Sequence, residues 1–165
     1  MAVSFLLDID TIPGESVDDN GAYNKKIEID GWGFGSHQTG VIQSGTGRAS
    51  GKVQVHDFSF TKHADVSSPK LLEICATGQH QTKATLICRR TGLVGGTLEP
   101  YLNVVFSDFI VSSYQTSGTN GDTGLPVEHI SLNFAQIQYQ YIPQDKGVNT
   151  GNLMAGYDLK TSQST

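Results

Sequence analysis

The feature that most restricts this chain is a two-residue alternation that repeatedly changes phase. Val3, Phe5, Leu7 and Ile9 share one face of an extended segment, with Ser4, Asp8 and Asp10 opposite. Leu6 interrupts the polar side, which implies that the outer face is covered there too. Ile27 and Ile29 alternate with Lys26, Glu28 and Asp30, and after Gly31 the pattern flips so that Trp32 and Phe34 fall on the former polar face. The segment 52–60 behaves the same way, Val53 and Val55 on one side and Phe58 and Phe60 on the other. In 127–141 the run Ile130, Leu132, Phe134 gives way to Ile137, Tyr139, Tyr141, with the switch near Ala135. Strands that change face need bulges or bends, and a long one that switches midway can serve two sheets, or a sheet and a partner subunit. Further strands are expected over 83–89, alternating through Ala84, Leu86 and Cys88, and over 101–114, apolar on both faces.

One helix is expected, from Ser68 to about Thr77. Ser68 is placed as N-cap, Pro69 at N1 and Gly78 just past the end, with Leu71, Leu72, Cys75 and Ala76 as the apolar stripe. The fold class is therefore mainly β: a β-sandwich or small β-barrel of two antiparallel sheets with one short α-helix on the side. Leu, Ile, Val and Phe make up a quarter of the 165 residues, enough for one core. A single domain over 1–159 follows, with a frayed, disordered tail at 160–165. Residues 36–51 carry Gly40, Gly45, Gly47 and Gly51 around Val41 and Ile42. A connection of that length usually serves binding or assembly.

Chemistry is harder to find. The net charge of −5 has the wrong sign for a phosphate binder, so nucleic acid is not an expected partner. The chain opens with no basic n-region and holds no 18-residue apolar run, so neither a cleavable leader nor membrane insertion is expected. His56, Asp57, His63 and Asp65 are the densest group of ligand types, yet adjacent strand residues point apart and no zinc spacing occurs. Asp8/Asp10 and Glu28/Asp30 have the i, i+2 spacing of carboxylates on one face, which solvated strands carry routinely. Cys75 and Cys88 read as packed thiols. No catalytic residue, cofactor or metal is expected. Trp32, Phe34, Tyr114, Tyr139 and Tyr141 form either a stacking platform for a ligand or a subunit seam, and the seam is preferred.

Taken in order, the segments resemble the hemolysin-coregulated protein (Hcp) family, tube subunits of the type VI secretion system. Ile12-Pro13-Gly14-Glu15-Ser16-x-Asp18 is similar to its opening signature. Ile27-Glu28-Ile29 running into Trp32-Gly33-Phe34-Gly35 is similar to its second strand. Thr61-Lys62-x-x-Asp65 before Ser68-Pro69-x-Leu71 resembles its third strand and helix start. Pro126-x-Glu128, Ser131-Leu132-Asn133-Phe134 and Ile137-x-x-x-Tyr141 resemble the C-terminal strands. Tyr157 departs from the family's usual Trp. The resemblance implies a structural protein whose hexameric rings stack into a hollow tube expelled from the cell, with effectors in the lumen. Its implied partners are its own copies, the sheath and spike proteins and effector proteins. It would be made in the cytoplasm and secreted without a cleavable signal peptide, and this chain would carry no fused toxin. Residues Thr39, Gly40, Val41, Ile42, Gln43, Ser44, Gly45 and Thr46 are expected to form a ring-stacking loop. The alternatives are a monomeric carbohydrate- or ligand-binding β-sandwich module using the aromatics, and a hydrolase built on the carboxylate pairs.

Overall fold

The computed structural model describes residues 3–18, 21–38, 40–41, 49–50, 53–92, 96–120, 124–145 and 148–165. Its strands are β1 (Val3–Ile9), β2 (Ile27–Ile29), β3 (Gly31–Gly33), β4 (Ser36–His37), β5 (Gly40–Val41), β6 (Ala49–Ser50), β7 (Gln54–Val55), β8 (Phe58–His63), β9 (Gln81–Thr91), β10 (Leu98–Ser117), β11 (Val127–Tyr141), β12 (Gln144–Asp145), β13 (Val148–Asn149), β14 (Leu153–Asp158) and β15 (Gln163–Ser164). The helix α1 spans Ser68–Thr77.

All recorded pairings are antiparallel, and they close a circuit. β1 lies between β9 and β2, β9 pairs with β10, β10 with β11, and the first half of β11 with β8. β8 then pairs with β3, which is separated from β2 by Asp30 alone. The Asp30 N–H donates to the Thr61 carbonyl at 2.8 Å and carries the hydrogen bonding across that corner. The phase flip after Gly31 is thus the point where one extended segment passes from β1 to β8. A closed barrel removes the edges that a sandwich would expose.

The flip at Ala135 has a partner in the neighbouring strand. Phe134 pairs with Phe109 and Ile137 with Phe106, so the apolar face steps by three on β10 and β11 together. Asp108, between them on β10, has φ 50°. Beyond this step β11 leaves β8 and pairs with β14 instead. The expected strand 52–60 is divided. β7 pairs with β4 outside the barrel, and β8 begins only after His56 and Asp57.

Phe58, Phe106 and Phe134 fill the barrel, with centroids 4.4 Å apart for Phe58–Phe106 and 4.8 Å for Phe106–Phe134. Leu7, Ile27, Leu86, Val104 and Leu132 complete this core, each side chain contributing about 1.5–3 kcal/mol on burial. Leu6 is buried as well, so the outer face of β1 is covered as its sequence implied. The helix presents Ser68, Leu71 and Ile74 inward, spaced by three, rather than the stripe through Leu72 and Ala76. Leu72 is exposed. Ser67, not Ser68, is the N-cap, and Gly78 closes the helix at φ 65°, in the left-handed region that favours glycine.

Gly14 has a stronger requirement. A Cβ there would stand 2.2 Å from the Lys26 carbonyl oxygen, in a turn tied by Gly14 N–H to Lys25 O at 2.8 Å. In the segment 158–165, Asp158 accepts from the N–H groups of Lys160 and Thr161, and β15 pairs with β14. Two carboxylates hold this end down. The Lys160 ammonium beside Asp108 keeps that carboxyl below its usual range, and the Thr161 N–H does the same for Asp158.

Candidate functional site

The most organised polar constellation is enclosed. Lys62, on β8, is fully buried. Its Nζ reaches Asp65 Oδ1 at 2.7 Å, the His63 carbonyl at 2.8 Å, Glu128 Oε2 at 2.9 Å and Ser68 Oγ at 3.0 Å. Ser68 donates to Glu128 Oε2 at 2.9 Å, and the Tyr114 hydroxyl donates to Glu128 Oε1 at 2.6 Å. β8, β10, β11 and the first turn of α1 meet there, and the charges are compensated by short, charge-assisted bonds. Burial, reinforced by Glu128, pushes the Tyr114 hydroxyl up to about 12, so it stays a donor. Lys62 is fully buried with its charge compensated, and the network ties the first turn of the helix to the barrel as a clamp. Alternation alone misses it, since Lys62 and Glu128 fall on the inward face and read there as exceptions to the pattern.

The residues weighed for chemistry go separate ways. His56 lies against His37. Asp57 accepts from Ser112 Oγ at 2.5 Å and Asn133 Nδ2 at 2.8 Å. His63 approaches Asp30 at 3.7 Å, and Asp65 belongs to the clamp. Among the described residues no group of three or more His, Cys, Asp or Glu converges as a metal site. Asp8 pairs with Lys26 at 2.8 Å, which ties up half of the Asp8/Asp10 pair, while Glu28 on β2 and Asp10 in the turn after β1 stay exposed. Burial drives the Cys88 thiol up to about 12, so it is not a nucleophile. Cys75 is half-buried on the helix.

The aromatic candidates divide. Trp32 and Phe34 stack at 6.2 Å and pack against the core, as does Tyr114. Tyr139 and Tyr141 remain 39% and 38% exposed. They sit on the half of β11 beyond the step, opposite Ala155 and Leu153 of β14, and so share a face with them. Phe34 approaches Tyr139 at 6.4 Å, which makes this strip continuous with the core. Of the loop 39–46, Gly40–Val41 pairs with Ala49–Ser50, giving the segment a ladder of its own. Thr39, Ile42, Gln43, Ser44, Gly45 and Thr46 lie outside the described residues. No described helix is long and apolar enough to cross a membrane.

Comparison with known proteins decides what kind of barrel this is. The family model described as "Type VI secretion system effector, Hcp" matches residues 6–141, which takes in every barrel strand at least in part. The chain belongs to the Hcp family. It is 36% identical over 162 residues to protein hcp1 of Pseudomonas aeruginosa, covering 97% of each chain. A solved structure described as a type six secretion system protein superposes with a TM-score of 0.89 at 29% identity, covering 99% of this chain and 100% of that one. Hcp1 from Salmonella typhimurium superposes with a TM-score of 0.81 at 32% identity, covering both chains fully. In this Hcp chain the segments that carry the resemblance have clear physical work. Lys62, Asp65, Ser68 and Glu128 make the buried clamp, Gly14 makes the close turn beside β2, and Trp32 and Phe34 seal the barrel.

Proposed function

We propose that this chain is a non-enzymatic structural subunit of the type VI secretion tube, closing into hexameric rings that stack into a hollow conduit. Its partners are its own copies, the sheath and spike proteins, and effector proteins held in the lumen. It is made in the cytoplasm and leaves through the secretion apparatus. The observation that carries this reading, beside family membership, is the apolar strip of Tyr139, Tyr141, Leu153 and Ala155 on a barrel that is already closed. The core is complete without it: Phe106, Leu132 and Val104 are fully buried, so the strip is free to pack against a second copy. A ring needs two different patches meeting head to tail, and this is one of them. The ligand-binding alternative loses support, because Trp32, Phe34 and Tyr114 are committed to the subunit's own packing.

Light scattering on the purified chain tests the ring. The expected result is a discrete species near six times 17.7 kDa, unchanged in molar salt, because exposed ion pairs contribute only about 0–1 kcal/mol and are screened. A stable monomer at high concentration would falsify it.

The stacking contact is assigned to residues 39–46. Replacing them with a short Gly-Ser linker is expected to leave hexamers intact while abolishing their growth into tubes under electron microscopy. Aggregated or unfolded subunits would show instead that the segment belongs to the folding core.

A further inference from the structure

We propose that His37 and His56 form a two-histidine site for a divalent transition-metal ion of the zinc, nickel or copper class. The site lies at the base of the arm that β4 and β7 build outside the barrel. The register places the two rings together. Ser36 pairs with Val55 and His37 with Gln54, and the His56 N–H donates to the Gly35 carbonyl at 2.8 Å. Opposed residues in an antiparallel ladder share a face, so Gly35, His37, Gln54 and His56 line one side. His37 and His56 are diagonal neighbours on it. Gly35, directly opposite His56, has no side chain to hold that ring upright, and His56 Cδ2 comes within 3.7 Å of the position a Cβ would take there. The ring leans toward His37 instead.

The outcome is His37 Nδ1 at 3.2 Å from His56 Nε2, with ring centroids 5.3 Å apart. Two imidazole nitrogens bound at about 2.0–2.1 Å to one tetrahedral ion lie about 3.3–3.4 Å from each other. The free chain therefore already holds the chelating separation, and the proton now shared between the rings occupies the ion's place. On binding, the ring that donates this proton changes tautomer, its single N–H moving to its other nitrogen by way of solvent. Both imidazoles remain neutral ligands, and no net proton is released from a neutral pair. Both side chains are exposed, so water completes the coordination. Imidazole suits zinc, nickel and copper, and disfavours magnesium and calcium.

Two points give the site a consequence. Strands β4 and β7 are two residues each, the shortest kind of ladder, and a chelate across them ties both together. β4 is followed by β5 and β7 is preceded by β6, which pair with each other, so an ion here stiffens the stem of that second ladder. Other histidines are differently placed: His63 faces Asp30 and His80 faces Asp108, one carboxylate each.

Isothermal titration of the full chain with zinc chloride and with nickel chloride, in a non-chelating buffer at neutral pH, tests the proposal. About one ion per chain is expected at micromolar affinity, with His37→Gln and His56→Gln each weakening binding at least about tenfold. His129→Gln, on the barrel wall, is expected to leave it unchanged. Zinc should also shift the imidazole nitrogen resonances of His37 and His56 and slow exchange of the His56 amide. These surface variants keep the barrel, which unchanged thermal unfolding without metal verifies. Undiminished binding in the His37→Gln/His56→Gln double variant, or no binding at millimolar metal, overturns it. Magnesium binding as tightly as zinc would also overturn it, since that is not imidazole chemistry.

Discussion

Replacing Lys62 with methionine is expected to destabilise the subunit by about 3–5 kcal/mol, the cost of stranding a buried charge. Lys62 is fully buried and Glu128 is 2% exposed, so the substitution leaves Glu128 with only Ser68 and Tyr114 as donors and takes the ammonium from Asp65, which keeps the Ser67 N–H and hydroxyl. A loss of this size lowers the thermal midpoint by on the order of 10 °C in a chain of this length. Chemical denaturation with fluorescence detection measures it. The paired change Lys62→Met with Glu128→Leu is expected to regain much of the loss, because two apolar groups need no compensation. A loss below about 1 kcal/mol for Lys62→Met alone would show that water reaches the site, and the clamp would then not hold the helix to the barrel.

Substituting both Tyr139 and Tyr141 with glutamate is expected to convert hexamers to monomers with little change in the unfolding midpoint. Neither ring belongs to the buried core cluster, and Tyr139 meets it at the margin through Phe34, so the subunit depends little on them for its fold. At a subunit seam the same change would bury two unpaired carboxylates, each costing several kcal/mol, enough to abolish association. Light scattering and thermal unfolding on one sample separate the two effects. Trp32→Ala makes the contrast. Its ring packs against Phe5 at 6.2 Å and stacks on Phe34, so the expected damage is to stability first, by about 3–5 kcal/mol. Hexamers that persist in the glutamate variant would move the seam elsewhere on the barrel.

Much of the barrel was legible because strand alternation is local. Ala84, Leu86 and Cys88 alternate in the sequence and are fully buried in the structure. The phase flips at Gly31 and Ala135 were visible as breaks in that same pattern, and both are corners where a strand changes neighbours. The helix was legible from Pro69 and Gly78, but its inward stripe was not. Leu72 and Ile74 are equally apolar, and only the direction of docking, set by Ser68 reaching Glu128, selects Ile74. The contact of Lys160 with Asp108 was not legible, since the two stand 52 residues apart. The histidine pair was not legible for a similar reason: His56 stands beside Asp57 in the sequence, while its partner His37 lies 19 residues earlier.

By itself, then, the sequence determined where strands run, where they bend, which faces are apolar, that one helix interrupts them, and through the order of its segments the family. Each of these rests on side chains within a few residues of one another along the chain. Only the tertiary structure decided which apolar or charged groups meet. Lys62 reads in isolation as a charge on the wrong face of a strand. It becomes the centre of a clamp only when barrel closure brings Glu128 and Tyr114 against it. Tyr139 and Phe34 are both aromatic strand residues in sequence, and closure covers one and leaves the other exposed. Pairing at long separation is set by the circuit of the whole sheet, which no local pattern encodes.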